Sequence, residues 1–465
     1  MIGSLINVFK IPDLRRKILF TILIIAVYRV GMYMPIPGTN AQYLHDLVAM
    51  EGTAEAEGGY LNFIARITGG SFGPFLFSLG IMPYISASII LQLLTQAIPS
   101  LEKLAKEGES GRRKINEYTR YLTVLLCLVQ ASFIAKGSGY VPGQNLAGAG
   151  WRAADVSPVM YYLVCVVAMT GGTIFLMWLG ELVDEYGIGN GISLIIMAGI
   201  VDRLPAVAQY IRDNATLEFL GFYGGAGRIG IETVFLILVM FVGVIIGVVL
   251  ITQAQRRIPI QQAKHTRGRR VYGGQRQYLP LRVNQAGVIP IIFASSLLYL
   301  PMYLFGAIAR NVPGDSWAFP IAQEFANAFS GGPIYMLVYV ALIFVFCYFW
   351  TAITFQPREI ANNLRDWGNF VPGMRPGKRT ADYLERVVNR ITYVGGAFLA
   401  AVAILPIVVS SVTGVDRVMT GFLGGTGLLI IVSVALDLVQ RIESHLVMRH
   451  YEGFLAEGRV KGRRG

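Results

Sequence analysis

The chain has 465 residues, of which 54% are hydrophobic and only 15% charged. Soluble domains carry about 25% charged residues, so this composition excludes an ordinary water-facing globular surface. A net charge of +12 would point to nucleic acid in a soluble protein; here the placement of the charge says more than its sum.

Apolar runs recur at about 20 residues, the length at which a helix crosses a bilayer. Ten spans are expected in chain order, at 18–34, 74–98, 121–136, 157–180, 187–204, 231–252, 285–306, 334–355, 391–410 and 418–437. The runs 157–180 and 334–355 contain no charged residue. Arg29 interrupts the first span, and Gly187, Gly189, Gly191 and Pro205 make the fifth short and breakable. Lys10, Arg15, Arg16 and Lys17 precede the first run as in a secretory signal. However, Arg29 and the turn Pro35-Ile36-Pro37-Gly38 follow without a small-residue cleavage site. The run is therefore expected to stay as the first helix.

Lys and Arg are retained on the cytoplasmic side of a membrane. With the N-terminus inside, the cytoplasmic segments are 1–17, 99–120, 181–186, 253–284, 356–390 and 441–465, and they hold 31 of the 40 Lys and Arg. One helix more or fewer would move whole basic blocks to the wrong face. The expected fold is an all-α, multi-pass membrane protein of ten helices with both termini cytoplasmic. It divides into an N-terminal half, 1–204, a C-terminal half, 205–440, and a basic tail, 441–465. Pairing spans one to five with six to ten suits two five-helix inverted-repeat halves, although the halves share no convincing sequence similarity. The large loops 253–284 and 356–390 are basic and rich in turn residues, such as Gly268, Gly273, Pro372 and Gly373. No soluble domain is expected in them.

Candidate chemistry is sparse. Cys127, Cys165 and Cys347 each fall in an apolar run and read as packing residues, not as a disulfide or zinc framework. His45, His265, His445 and His450 all lie outside the runs. No HExxH or Walker loop occurs, and no catalytic residue, metal site or cofactor is assigned. Arg29, Arg203, Glu232 and Asp437 sit near span ends, where side chains reach headgroup water. An uncharged midplane weakens ion-coupled transport, which needs ionisable groups or broken-helix ion sites there. The segment 62–73 is too short to span. The residues alone favour an interfacial loop for it, with a re-entrant segment as the alternative. They also leave a solute transporter, the more common class, ahead of a passive polypeptide channel. An intramembrane hydrolase lacks any histidine within a span.

An ordered set of motifs changes that balance. These are Leu79-Gly80-Ile81-Met82-Pro83-Tyr84-Ile85-Ser86-Ala87-Ser88-Ile89-Ile90 and Lys106-Glu107-Gly108-Glu109-Ser110-Gly111-Arg112-Arg113-Lys114-Ile115. There follow Gly187-Ile188-Gly189-Asn190-Gly191-Ile192-Ser193, Asn284-Gln285-Ala286-Gly287-Val288-Ile289-Pro290 and Phe293-Ala294-Ser295-Ser296. Last come Pro357-Arg358-Glu359, Phe370-Val371-Pro372-Gly373-Met374-Arg375-Pro376-Gly377 and Gly424-Gly425-Thr426. In this order they resemble the SecY family, the channel subunits of the bacterial Sec protein translocase, over nearly the whole chain. The outer loops 40–60 and 205–230 match no pattern of the family.

The resemblance implies a central hourglass pore through which unfolded, signal-bearing polypeptide crosses the membrane or leaves sideways into lipid. It implies a constriction of Ile81, Ile85, Ile188, Ile192, Ile292 and Ile430. As sequence, Ile81 with Ile85 and Ile188 with Ile192 each form an i, i+4 pair expected on one helix face. Ordinary packing isoleucines are the alternative. The resemblance makes the segment Asn62-Phe63-Ile64-Ala65-Arg66-Ile67-Thr68-Gly69-Gly70-Ser71-Phe72-Gly73 a plug that closes the pore from outside. It places Ser88 and Gln92 at a lateral gate, and Arg256, Arg257 and Arg358 at a docking surface for the SecA ATPase or ribosomal RNA. Positive-inside topology alone also accounts for most of those basic residues. Implied partners are the small membrane subunits SecE and SecG, SecA, the ribosome, a polypeptide with a signal sequence, and the lipid bilayer. The implied location is the bacterial plasma (inner) membrane.

Overall fold

The structure is a computed structural model that describes residues 11–40, 74–135, 152–153, 155–202, 229–262, 265–267, 270–272, 276–295, 297–298, 318–328, 333–413 and 426–457, with isolated residues between 204 and 216. Among the described residues six helices come first: α1 (Pro12–Met32), α2 (Met82–Ala97), α3 (Pro99–Lys106), α4 (Glu109–Ala135), α5 (Pro158–Tyr186) and α6 (Gly191–Val201). Short strands β1 (Ala215–Thr216) and β2 (Ile229–Gly230) lead to α7 (Ile231–Gln253). Then come β3 (Gln255–Gln262), β4 (His265–Arg267), β5 (Arg270–Tyr272) and β6 (Arg276–Arg282). The chain continues through α8 (Ala318–Ala328), α9 (Pro333–Thr354), α10 (Pro357–Asp366), β7 (Asn369–Phe370), α11 (Lys378–Thr413) and α12 (Thr426–Glu457).

Prolines and caps set many of these boundaries. Pro12, Pro99, Pro158 and Pro357 each stand at a helix start, where a missing N–H costs nothing and φ is already helical. Ser157 Oγ accepts from the Met160 N–H at 3.3 Å to cap α5. Ile98, forced into extended backbone by the proline after it, separates α2 from α3 with a bend of 102°.

Contacts divide the chain into two compact units, Met1–Ala215 with Val434–Gly465, and Thr216–Ser433. In the first, α5 packs on α1, α2, α4 and α6. The chain enters α2 through non-helical backbone at 74–81. The Ile36 N–H bonds to the Pro74 carbonyl at 2.8 Å, and the Leu76 N–H to the Met34 carbonyl at 2.9 Å. Phe77 lies buried between Tyr28 and Phe175, with ring centroids 6.3 and 6.1 Å away. Two glycines make room for this segment. A Cβ on Gly31 would stand 2.0 Å from the Phe77 ring, and one on Gly172 would stand 2.1 Å from the Leu76 carbonyl oxygen. Cys127 and Cys165 are free and buried in the same apolar cluster, with Leu79, Ala131 and Met169.

In the second unit α9 packs on α11, and a three-stranded sheet of order β6-β3-β7 lies beside α10 and the start of α11. Ile258, Leu281, Phe355, Val371, Leu384, Val387 and Val388 form its core. Among the described residues, parts of the loops expected at 253–284 and 356–390 therefore pack together through β3, β6, β7, α10 and the start of α11, short strands within a mostly helical chain. The reason is visible in β3, where Ile258 and Ile260 alternate with exposed neighbours at the strand period of two. Phe355 and Leu384 then cover that face.

Among the described residues four helices are long and apolar enough to cross a membrane, α5, α7, α9 and α11. The bent pair α2–α3 is a fifth if counted as one span. The chain is a mostly helical membrane protein. Several expected spans have other limits: α4 begins twelve residues before 121, α6 is only 11 residues long, and α12 runs on to Glu457. Residues 299–306 and 418–425, parts of the expected seventh and tenth spans, lie outside the described residues.

Candidate functional site

In the first unit two of the candidate residues, Ile188 and Ile192, flank the break between α5 and α6. Gly189 in this turn has φ +101°, the left-handed region that glycine tolerates. The turn is held by polar groups from three helices. The Ile188 N–H donates to Thr21 Oγ1 of α1 at 3.1 Å. The Gly191 N–H donates to Asp184 Oδ1 of α5 at 2.7 Å. Arg441 Nη1 of α12 donates to the Gly189 carbonyl at 3.3 Å, while its Nε holds Asp437 at 2.9 Å. Asn190 caps α6 by accepting from the Ser193 N–H at 3.0 Å. A Cβ on Gly191 would sit 2.0 Å from the Gly180 carbonyl oxygen, so α5 and α6 touch backbone to backbone.

This geometry corrects one expectation. Helix α6 starts at Gly191, so Ile188 lies in the turn before it and does not share a helical face with Ile192. The left-handed Gly189 breaks the helical phase between them. Ile188 is buried against Leu14 of α1 and Ile442 of α12, whereas Ile192 is half-buried. Ile81 and Ile85 do stand one turn apart, since the Ile85 N–H bonds to the Ile81 carbonyl at 3.1 Å. Ile81 is fully buried and Ile85 half-buried. Ser88 is half-buried and Gln92 exposed, and Gln92 Nε2 reaches Ser88 Oγ at 3.4 Å along α2 itself. Residues 62–73 lie outside the described residues.

In the second unit, Ile292 is half-buried in a helical stretch at 289–295, and Ile430 is buried in α12. The packed layer carries the candidate arginines. Strand β3 pairs antiparallel with β6, with Arg256 opposite Leu281 and Arg257 opposite Pro280. Arg256 therefore falls on the line of Ile258 and Ile260, beyond the core, while Arg257 falls on the outer face. That outer face also holds Arg276, Tyr278 and Arg282, all exposed. Arg358 is exposed in the first turn of α10. The layer thus joins all three arginines in one folded body, although they stand on different elements of it.

Sequence reasoning missed Thr21, Asp184 and Arg441. Only Asn190, three residues before Ser193, carried a legible helix-start signal. It also left Arg29 as a snorkelling residue. The structure pairs it with Asp202, the C-terminal cap of α6.

A family model described as SecY matches residues 76–439. The protein translocase subunit SecY of Thermotoga maritima is 42% identical over 460 residues, covering 98% of this chain and 99% of that protein. Among solved structures, one described as a protein-conducting channel covers 93% of each chain with a TM-score of 0.56 at 19% identity. Sec61 in the canine ribosome–channel complex covers 93% of each chain with a TM-score of 0.51 at 18% identity.

Proposed function

We propose a working cycle for this chain, which belongs to the SecY family and is a protein-conducting membrane channel: a passive pore, driven by partners, passes unfolded polypeptide across the membrane and releases apolar segments sideways into lipid. The carrying observation is the 42% identity to a protein translocase subunit along 98% of the chain. The fold has ten spans with both termini on the cytoplasmic side of a bacterial plasma membrane.

Ile81, Ile85, Ile188, Ile192, Ile292 and Ile430 form the constriction. A ring of apolar side chains excludes water at rest and deforms around many substrate side chains, whereas charged groups there would bind ions or select sequences. The segment 62–73 plugs the outer side, and its deletion leaves assembly intact but lets the resting channel leak ions. Ser88 and Gln92 contribute polar contacts at a lateral gate, each worth on the order of 1 kcal/mol, weak enough for an arriving signal segment to displace.

The arginine-bearing layer docks the driving partner. Arg256, Arg257 and Arg358 suit carboxylates of the SecA motor and phosphates of ribosomal RNA alike. Their exposure supports this role, as does the neighbour whose channel sits in a ribosome complex. SecE and SecG complete the membrane assembly. Cysteine crosslinking of a stalled secretory chain to positions 81, 188 and 292 tests the pore. Crosslinks are expected at the ring, and failure at all three positions removes it.

A further inference from the structure

We propose that α6 is clamped at both ends by arginines from other helices, and that Arg29 and Arg441 are positioning residues that keep the resting channel sealed. At 11 residues, α6 is about 16 Å long, about half the hydrocarbon thickness of a bilayer. A helix that short is oriented by the helices packed against it, α5 and α1.

Its two ends carry groups that are unfavourable unless tied. Asp202 puts a carboxylate at a helix C-terminus, the wrong sign for the helix dipole. Arg29 stands in the last turn of α1, within reach of that carboxylate. Each answers the other as an ion pair across α1 and α6. Tyr33 holds the guanidinium in place, accepting from Nη2 at 2.7 Å with its ring centroid 4.8 Å from the guanidinium carbon. At the opposite end, Arg441 grips the Gly189 carbonyl and is itself oriented by Asp437. The grip falls on the left-handed glycine of the turn, beside the bonds from Thr21 and Asp184. Both tethers come from helices other than α5, so α6 cannot swing on its Gly180–Gly191 contact without breaking one of them.

The proposal deepens the pore reading and rests on it, because α6 bears Ile192 of the constriction. Full-length variants in membrane vesicles test it, with decay of an imposed potassium gradient as the readout and export of a secretory protein measured in parallel. Asp202→Ala and Arg441→Ala are each expected to raise the resting leak about fivefold, a shift that loss of one moderate ion pair provides. Exchanging the charges, Arg29→Asp with Asp202→Arg, restores the seal, and so does Arg441→Lys, which keeps a cationic donor. These rescues separate a tether from mere loss of folding and apply even if a single variant fails to accumulate. Tight single variants, or a charge exchange that leaks like Asp202→Ala, overturn the clamp. Ile192→Ser is the control on the underlying reading. If it stays tight while the clamp variants leak, Ile192 is not part of the ring and the clamp stands on other residues.

Discussion

The α5–α6 turn of the first unit and the arginine-bearing layer of the second reach order by opposite means. The turn has little apolar mass of its own. It is held by backbone contact at Gly180 and Gly191 and by hydrogen bonds from Thr21, Asp184 and Arg441. The layer instead buries seven apolar side chains and turns its arginines outward. A segment with few apolar side chains to bury relies on close backbone approach and polar ties, whereas one with many is held by burial. Polar removal should therefore damage the turn, and apolar truncation should damage the layer.

The largest effect is expected from Gly191→Ala, whose new Cβ meets the Gly180 backbone with no flexible side chain to yield. We expect a loss of about 4 kcal/mol, read as a collapse of the thermal midpoint of the purified protein in detergent. Leu384→Ala, at a fully buried position in the layer, should cost about 3 kcal/mol. Limited proteolysis should then cut at 253–284 while α5 stays protected. Asp184→Ala removes one charge-assisted bond from the turn and should cost about 1.5 kcal/mol. If it destabilised as much as Leu384→Ala, the turn would depend on more than local ties. Arg358→Ala should change stability by less than about 0.5 kcal/mol yet slow export with normal insertion. Normal export would take Arg358 out of the docking surface.

The same contrast explains what was readable beforehand. The apolar runs that become α5, α7, α9 and α11 were legible because each declares itself within about 20 residues. The layer was not, because glycines and prolines at 268, 273, 372 and 373 masked a strand period carried by two short pairs, Ile258 with Ile260 and Leu279 with Leu281. Ile188 was misread as helical for a related reason: spacing of four implies one face only if no left-handed residue intervenes, and Gly189 does.

By itself the sequence determined that this chain lives in a membrane, where its basic residues collect and to which family its ordered motifs lead. Those are sums and patterns over neighbouring residues, and partition between water and lipid depends on little else. Tertiary structure alone decided the partners of Arg29 and Arg441, the place of Ile188 and the union of two basic loops. Contacts such as Ile188 with Thr21, 167 residues apart, or Arg441 with Gly189, 252 apart, depend on how helices pack. No local pattern encodes which distant backbone group a side chain will reach.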